Sequence, residues 1–496
     1  MNLEKCLTSS LFGVAVLLFF GLAYPHHLHY QEQFQLFLFD SNYVWDIVRH
    51  PGGVADLLGR FCTQFFLYAW VGAAIIAILL SLVQFLVHRL VKGQRSLQRH
   101  TLKERKVIGH WLYGLTFVPS FLLWLYLLDE NALMSGVWAV LLTLLVACVI
   151  VKLTSGWMRR ILLILAIPVL YFLVGPVCLP IPIESLWLGV HYYRYPTVFP
   201  WLLWGAALSI WVILGLYLLI RRRQVHSSPL VSYLSFAIIA VIMGSYVWKN
   251  ANFKAERVMQ YDFMARHQQW NRILQTISAE KPNNQIGVTV QNLALAMNGM
   301  LLEQMANFNQ NGIAGLLPDV KEDATSPLPT AEAFYQLGMI NVAQRTVFEA
   351  QEAILDFQKS GRCYQRLAQT NLINGQYEVA RKYLSALQKT LFYRDWANET
   401  LPLLGDEEAI ARHPEYGRLR QFAYKRRPAV PAELDGSRLT GDFFFSDHVT
   451  PEMLESLYLG NTDNRLAYQY LLAYCLLTGD RERFNLYYSQ RATDQQ

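Results

Sequence analysis

A chain of 496 residues that is 53% hydrophobic, with 13 Trp, 27 Tyr, 27 Phe and a mean hydropathy of +0.20, is too apolar for an ordinary soluble protein. Its net charge of +6 is unevenly divided: residues 1–249 carry 18 Lys/Arg against 9 Asp/Glu, and residues 250–496 carry 25 against 28. A basic, apolar half is joined to a mildly acidic, water-compatible half, and nothing in either calls for a nucleic-acid partner.

The first apolar run, 7–24, opens the chain. Gly21 and Ala23 resemble a small-x-small cleavage site, but Lys5 beside Glu4 makes a weak basic leader, so an uncleaved anchor is expected. Residues 24–40, YPHHLHYQEQFQLFLFD, then gather three histidines, a glutamate and an aspartate. On a helical wheel Tyr30, Phe34, Phe37, Leu38, Ser41, Val44, Trp45 and Val48 share one face, which predicts an interfacial helix lying on lipid within an external loop, 25–60. Pro51-Gly52-Gly53 turns the chain toward the next span.

Six further runs follow, at 61–87, 107–128, 132–151, 161–178, 199–220 and 230–248, each near the length that crosses a bilayer core about 30 Å thick. The links after the second, fourth and sixth runs, together with Lys5, hold 14 of the 18 basic residues before position 250. The opposite side has Arg49, Arg60, Arg194, Lys249 and the acidic link Asp129-Glu130-Asn131. The bias predicts a cytoplasmic N-terminus, a location in the cytoplasmic (inner) membrane, and residues 250–496 on the periplasmic or extracytoplasmic side.

The second half reads as helix pairs. In RLAQTNLINGQYEVARKYLSALQK (366–389), Leu367, Ala368, Leu372, Tyr377, Ala380 and Leu384 recur at helical steps around an Asn374-Gly375 turn. AYQYLLAYCLLTGDRERFNLYYSQ (467–490) repeats the pattern around Gly479, and weaker copies lie at 332–354 and, as a second-helix fragment, at 261–277. These segments resemble tetratricopeptide (TPR) repeats, which implies a helical stack with a concave face for a partner peptide or helix. Pro-rich stretches at 318–329 and 428–431 interrupt it. No CxxC occurs, and Cys363 and Cys475 are expected as buried thiols and not as a disulfide. The fold class expected is therefore all-α: a polytopic membrane bundle of about seven helices, 1–249, followed by an external TPR-like domain, 250–496.

The order of first span, external loop with carboxylates and an interfacial helix, further spans and an external soluble domain is similar to that of polytopic glycosyltransferases using polyprenyl-phosphate sugars, the GT-C class. That resemblance implies transfer of a sugar from a lipid-linked donor to an envelope acceptor. Such a donor needs no nucleotide site, and neither GxxxxGK[ST] nor GxGxxG after a strand is found. Direct displacement at the anomeric carbon needs a carboxylate base, for which Glu32 and Asp40 are the external candidates, and cations for the departing phosphate, for which His191 and Arg194 in GVHYYRYP serve. No cofactor is expected. His26, His27 and His29 are the place for a divalent metal if one binds, and in a partly exposed turn they are read as solvated. The alternative reading is a non-catalytic, membrane-anchored scaffold that meets an envelope protein through its helical repeats. A transporter is disfavoured because the apolar runs hold no Asp, Glu, Lys or Arg between their ends.

Overall fold

The computed structural model describes residues 3–49, 52–93, 111–153, 200–220, 229–319, 326–354, 358–423 and 451–494; these are helical with short connections, and no strand occurs among them. Contacts divide the chain into two compact units, Met1–Glu256 and Arg257–Gln496.

In the first unit, three described helices are long and apolar enough to cross a membrane, Lys5–Ala23, Ala69–Val91 and Met134–Leu153. A fourth, Tyr233–Asn250, passes only when counted with the helix that follows it, and two apolar helices, Tyr113–Tyr126 and Trp201–Tyr217, are shorter. The run at 161–178 lies outside the described residues. The run at 61–87 begins later than its composition suggests. Gly53–Thr63 is a separate amphipathic helix, a 3-10 turn covers Gln64–Leu67, and Tyr68 leaves the helical region before the long helix starts at Ala69. The run at 107–128 is divided at 116–117, where Pro119 opens the helix Val118–Tyr126.

Aromatic and aliphatic side chains fill this unit. Phe12 meets Phe117 and Phe121 edge-on, with centroids 5.5 and 5.1 Å apart, and Val16, Phe20, Ile76 and Leu80 are fully buried around them. Polar contacts also cross between the helices. The Thr8 and Tyr113 hydroxyls lie 2.6 Å apart, Ser9 Oγ donates to Gln84 Oε1 at 2.7 Å, and Gln84 Nε2 donates to Thr116 Oγ1 at 3.2 Å. Where packing partners are all equally apolar, such bonds fix the register of one helix on the next. The helix Gly53–Thr63 packs on Met134–Leu153 at Gly59, where a Cβ would lie 2.5 Å from the backbone nitrogen of Ser135.

The second unit is built from helix pairs. Pro327–Leu337 packs on Ile340–Glu352, which packs on Gly361–Ile373, which packs on Tyr377–Leu387. Leu367, Ala368, Leu372, Ala380 and Leu384 are buried at this seam, as their spacing predicts, while Tyr377, on the same predicted face, is half-buried at the start of its helix. Arg465–Thr478 and Arg481–Asp494 form the last pair. The stretch 261–277, read as part of one helix, instead straddles the end of Phe253–Arg266, a turn at Gln268 with φ of 52°, and the start of Trp270–Glu280. The polar run His267-Gln268-Gln269 offers no apolar face to continue the helix. Cys363 and Cys475 are buried and free.

The inner face of these pairs is not an open groove. Tyr416–Phe422 lies on Pro327–Leu337 and Gly361–Ile373, and Arg465–Thr478 packs on Gln285–Met297, Leu301–Gln304 and Pro327–Leu337. Leu419, Leu471 and Leu472 are buried with Leu293, Phe334 and Leu337 in one core. Charged side chains cross the same seams. Arg362 forks onto Asp262, with Nη1 to Oδ2 at 2.6 Å and Nη2 to Oδ1 at 2.8 Å, while Arg366 pairs with Glu332 and lies 3.7 Å above the Tyr335 ring. Gln336 Nε2 donates to Glu332 Oε1, and Arg418 Nη2 donates to Gln336 Oε1, each at 2.9 Å.

The turn after Gly361–Ile373 closes by two bonds, Gly375 N–H to the Leu372 carbonyl at 3.1 Å and Gln376 N–H to the Asn371 carbonyl at 2.8 Å, with Gly375 at φ of 76°. A Cβ there would meet nothing nearer than Arg420 Nη2 at 3.7 Å, so a substitution is opposed by the backbone and not by crowding. Gly375→Val is expected to lose about 1–2 kcal/mol, and Gly375→Asn much less, because asparagine tolerates this conformation. Thermal melts followed by helical circular dichroism check this; equal losses for the two variants would refute the backbone explanation.

Candidate functional site

The histidine-rich stretch folds as the helix Pro25–Glu32, directly after the first apolar helix. Proline at its first position has no N–H to satisfy, so the first donors lacking an intrahelical partner are those of His26 and His27. Glu256 takes both: its Oε1 accepts from His26 N–H and its Oε2 from His27 N–H, each at 2.8 Å. A carboxylate at a helix N-terminus is favoured by the helix dipole as well as by these two bonds. Nearby, Asn252 N–H donates to the Tyr24 hydroxyl at 3.1 Å and Asn252 Nδ2 donates to Glu130 Oε1 at 3.3 Å. Burial, and then the charge of Asp129, raise the Glu130 carboxyl above its ordinary range.

His27 and Gln31, one helical turn apart, dock this helix on the loop 127–132. His27 Nε2 lies 2.9 Å from the Leu127 carbonyl, and because a carbonyl only accepts, that nitrogen carries the proton. Gln31 Nε2 donates to the carbonyls of Asp129 and Ala132 at 3.3 and 3.2 Å. His27 is fully buried, its Nδ1 has no hydrogen-bond partner among the described residues, and burial pushes the imidazole down to about 4. The expectation of a solvated histidine trio is therefore corrected for His27: it is a neutral docking residue. The His26 and His29 rings lie 5.7 Å apart, and no group of three or more His, Cys, Asp or Glu among the described residues is arranged to hold a metal.

The two carboxylates proposed as a base have different surroundings. Glu32 is 5% exposed, near the buried amides of Gln31, Gln33 and Gln35 in sequence, and not on a solvent-facing surface. Asp40 is the N-cap of a second helix, Ser41–Val48, its Oδ1 accepting from Asn42 N–H at 2.9 Å and Tyr43 N–H at 3.3 Å. The single interfacial helix drawn from Tyr30 to Val48 is thus two helices with a non-helical link. The link exists because Gln33, Phe34 and Gln35 close the first helix with tight bonds to carbonyls three residues back, and Asp40 then starts the next. Tyr30 and Phe37, assigned to the lipid face, are buried. His191 and Arg194 lie outside the described residues.

One charged pair escaped the sequence reading. Asp56 and Arg60, four residues apart on Gly53–Thr63, join through Oδ2 to Nε at 3.0 Å and to Nη2 at 2.8 Å, both largely buried. Burial alone would lower the Arg60 guanidinium, and the adjacent Asp56 carboxylate outweighs it, so the group is held more firmly protonated than usual. The Tyr43 hydroxyl beside it donates to the Leu36 carbonyl at 2.7 Å, tying the non-helical link to the same place. The i, i+4 spacing was the available signal.

This arrangement fixes three short elements around the end of the first apolar helix. Of the carboxylates there, Asp40, Asp56, Glu130 and Glu256 each accept bonds that hold backbone or side chains in place. No curated protein and no solved structure shows significant similarity to the chain. A family model does match, from residue 2 to residue 496, and by that match over nearly the whole chain the protein belongs to a family of unknown function, DUF6057.

Proposed function

We propose that the protein is a membrane-anchored, non-catalytic scaffold whose helix-pair unit works on the outer side of the cytoplasmic membrane. The observation that carries this reading is the use of the carboxylates around Pro25–Glu32: a residue that accepts two backbone N–H bonds, as Asp40 and Glu256 do, is a weakened base and already has a structural task. The sidedness rests on the 14 basic residues supplied by Lys5 and the links assigned to the cytoplasm. The helix pairs of the second unit, TPR-like in their spacing, bind an envelope protein through their outward faces, since the inner face is filled by the chain itself. Phe348 and Val379, on the second helices of consecutive pairs, are the apolar residues exposed there.

A second reading rests on Glu32. A buried carboxylate beside an apolar helix is costly to keep, which is the usual mark of a working residue, and it fits the general base of a transferase that takes sugar from a polyprenyl-phosphate donor. The two readings separate in cells lacking the protein and supplied with Glu32→Gln, Asp40→Asn or both, at matched abundance. The scaffold requires the double variant to restore the envelope fully. A loss of roughly 10²–10⁴ in glycan transfer, the size expected when a general base is removed, would overturn it in favour of the transferase.

A further inference from the structure

The helix Ser41–Val48 and the helix Gly53–Thr63 present a surface with exposed apolar side chains among the described residues. Phe39, Trp45, Val54 and Phe61 are exposed, Trp45 to 61%, and Tyr68 and Trp70 continue the same exposed aromatic series to the start of the long apolar helix Ala69–Gly93. Some of the charges of this region are taken up by the protein itself. Arg60 and Asp56 neutralise each other in a largely buried pair, and Asp40 is turned to the backbone of its own helix. On Ser41–Val48 the exposed polar residues Asn42 and Asp46 are four apart and share one side, while Trp45 borders the side of the half-buried Val44 and Val48. Arg49, just beyond, is long enough to reach from this border to water.

We infer that these two helices lie in the headgroup and upper acyl region of the bilayer, with Trp45, Val54, Phe39 and Phe61 inserted as an apolar, charge-independent anchor. The occupant of the face is lipid because, along the chain, exposed Phe61, Tyr68 and Trp70 lead directly into an apolar helix long enough to span and itself exposed at Val71 and Ile78. Its residues, Trp, Phe and Tyr, also favour the membrane interface over either water or the hydrocarbon core. The inserted side chains are themselves uncharged, so the burial of apolar area, and not lipid charge, drives their insertion. The surface differs from the one the wheel drew: Tyr30 and Phe37 leave it for the protein interior, and Phe39, Val54 and Phe61 enter it.

This inference rests on the membrane reading, and its test keeps the two apart. p-Benzoylphenylalanine is placed singly at position 45, 54, 42 or 78 of the full-length protein in phosphatidylcholine nanodiscs, irradiated, and the adducts are identified by mass spectrometry. Ile78, 64% exposed within Ala69–Val91, reports on the span itself. Lipid adducts at 45, 54 and 78 and their absence at 42, unchanged when phosphatidylglycerol is added, are the expected result. Adducts at 78 without adducts at 45 and 54 would overturn the inference alone. So would equal adducts at 42, dependence on phosphatidylglycerol, or covalent dimers formed from 45 or 54, the last showing that a second copy covers the face. No lipid adduct at 78 would sink the membrane reading with it.

Discussion

Arg362→Ala is expected to destabilise the helix-pair unit by about 3–5 kcal/mol, the usual consequence of removing one partner from a buried ion pair. Arg362 is 6% exposed and holds both oxygens of Asp262, so its loss leaves a mostly buried carboxylate without the two charge-assisted bonds that offset its desolvation. The thermal midpoint of the full-length protein in detergent, followed by circular dichroism, should fall by roughly 10 °C. Asp262→Asn combined with Arg362→Leu should lose less than Arg362→Ala alone, because the pair is replaced by groups that need no counter-charge. An unchanged midpoint in Arg362→Ala would show that water or another residue takes over the carboxylate.

The second large effect is expected from acid. His27 has a folded-state value near 4 against about 6.5 when unfolded, so above the upper value both states are neutral and the residue makes no pH-dependent contribution. As the pH falls below 6.5 the unfolded chain binds a proton that the folded chain refuses, and stability declines until about pH 4, where the folded form also protonates. The decline amounts to about 3 kcal/mol. Its cause is local: the proton would go to Nδ1, a buried atom with no acceptor beside it. His27→Gln keeps a donor for the Leu127 carbonyl and cannot titrate. Comparison of thermal midpoints at pH 7.5 and 4.5 should show wild type losing more than the variant, and parallel losses would assign the acid sensitivity to other groups.

The placement of these residues was only partly legible from sequence. Helical runs were legible because hydrophobic length and period are local: Lys5–Ala23 and Met134–Leu153 can be read within a few residues of their ends, whereas the apolar run at 61–87 starts eight residues ahead of Ala69–Val91 because the amphipathic helix before it is apolar too, and most of the buried positions named in 366–389 follow from spacing. The fate of Glu32 was not. In QEQFQ every polar side chain suggests water, yet Gln31, Glu32, Gln33 and Gln35 are all buried, since a polar residue is hidden or exposed according to what another segment brings. The same holds for His27, whose partner is a carbonyl a hundred residues away, and for Glu256, which caps a helix far earlier in the chain. Asp40 is an acidic residue directly before a helix, a position where a carboxylate caps backbone N–H groups, and that is the role it has.

The last helix pair has a bearing on how the protein is made. Arg465–Thr478 completes the core whose other walls, Gln285–Met297 and Pro327–Leu337, leave the ribosome long before it. During that interval the parts of Gln285–Met297 and Pro327–Leu337 that Arg465–Thr478 will cover stand open, so the nascent unit is sticky and cannot settle pair by pair as an open repeat array does. A stop codon ahead of Arg465 therefore gives an unfolded product and not a shorter working array. Chaperones are therefore expected to shield the emerging chain until its final segment arrives.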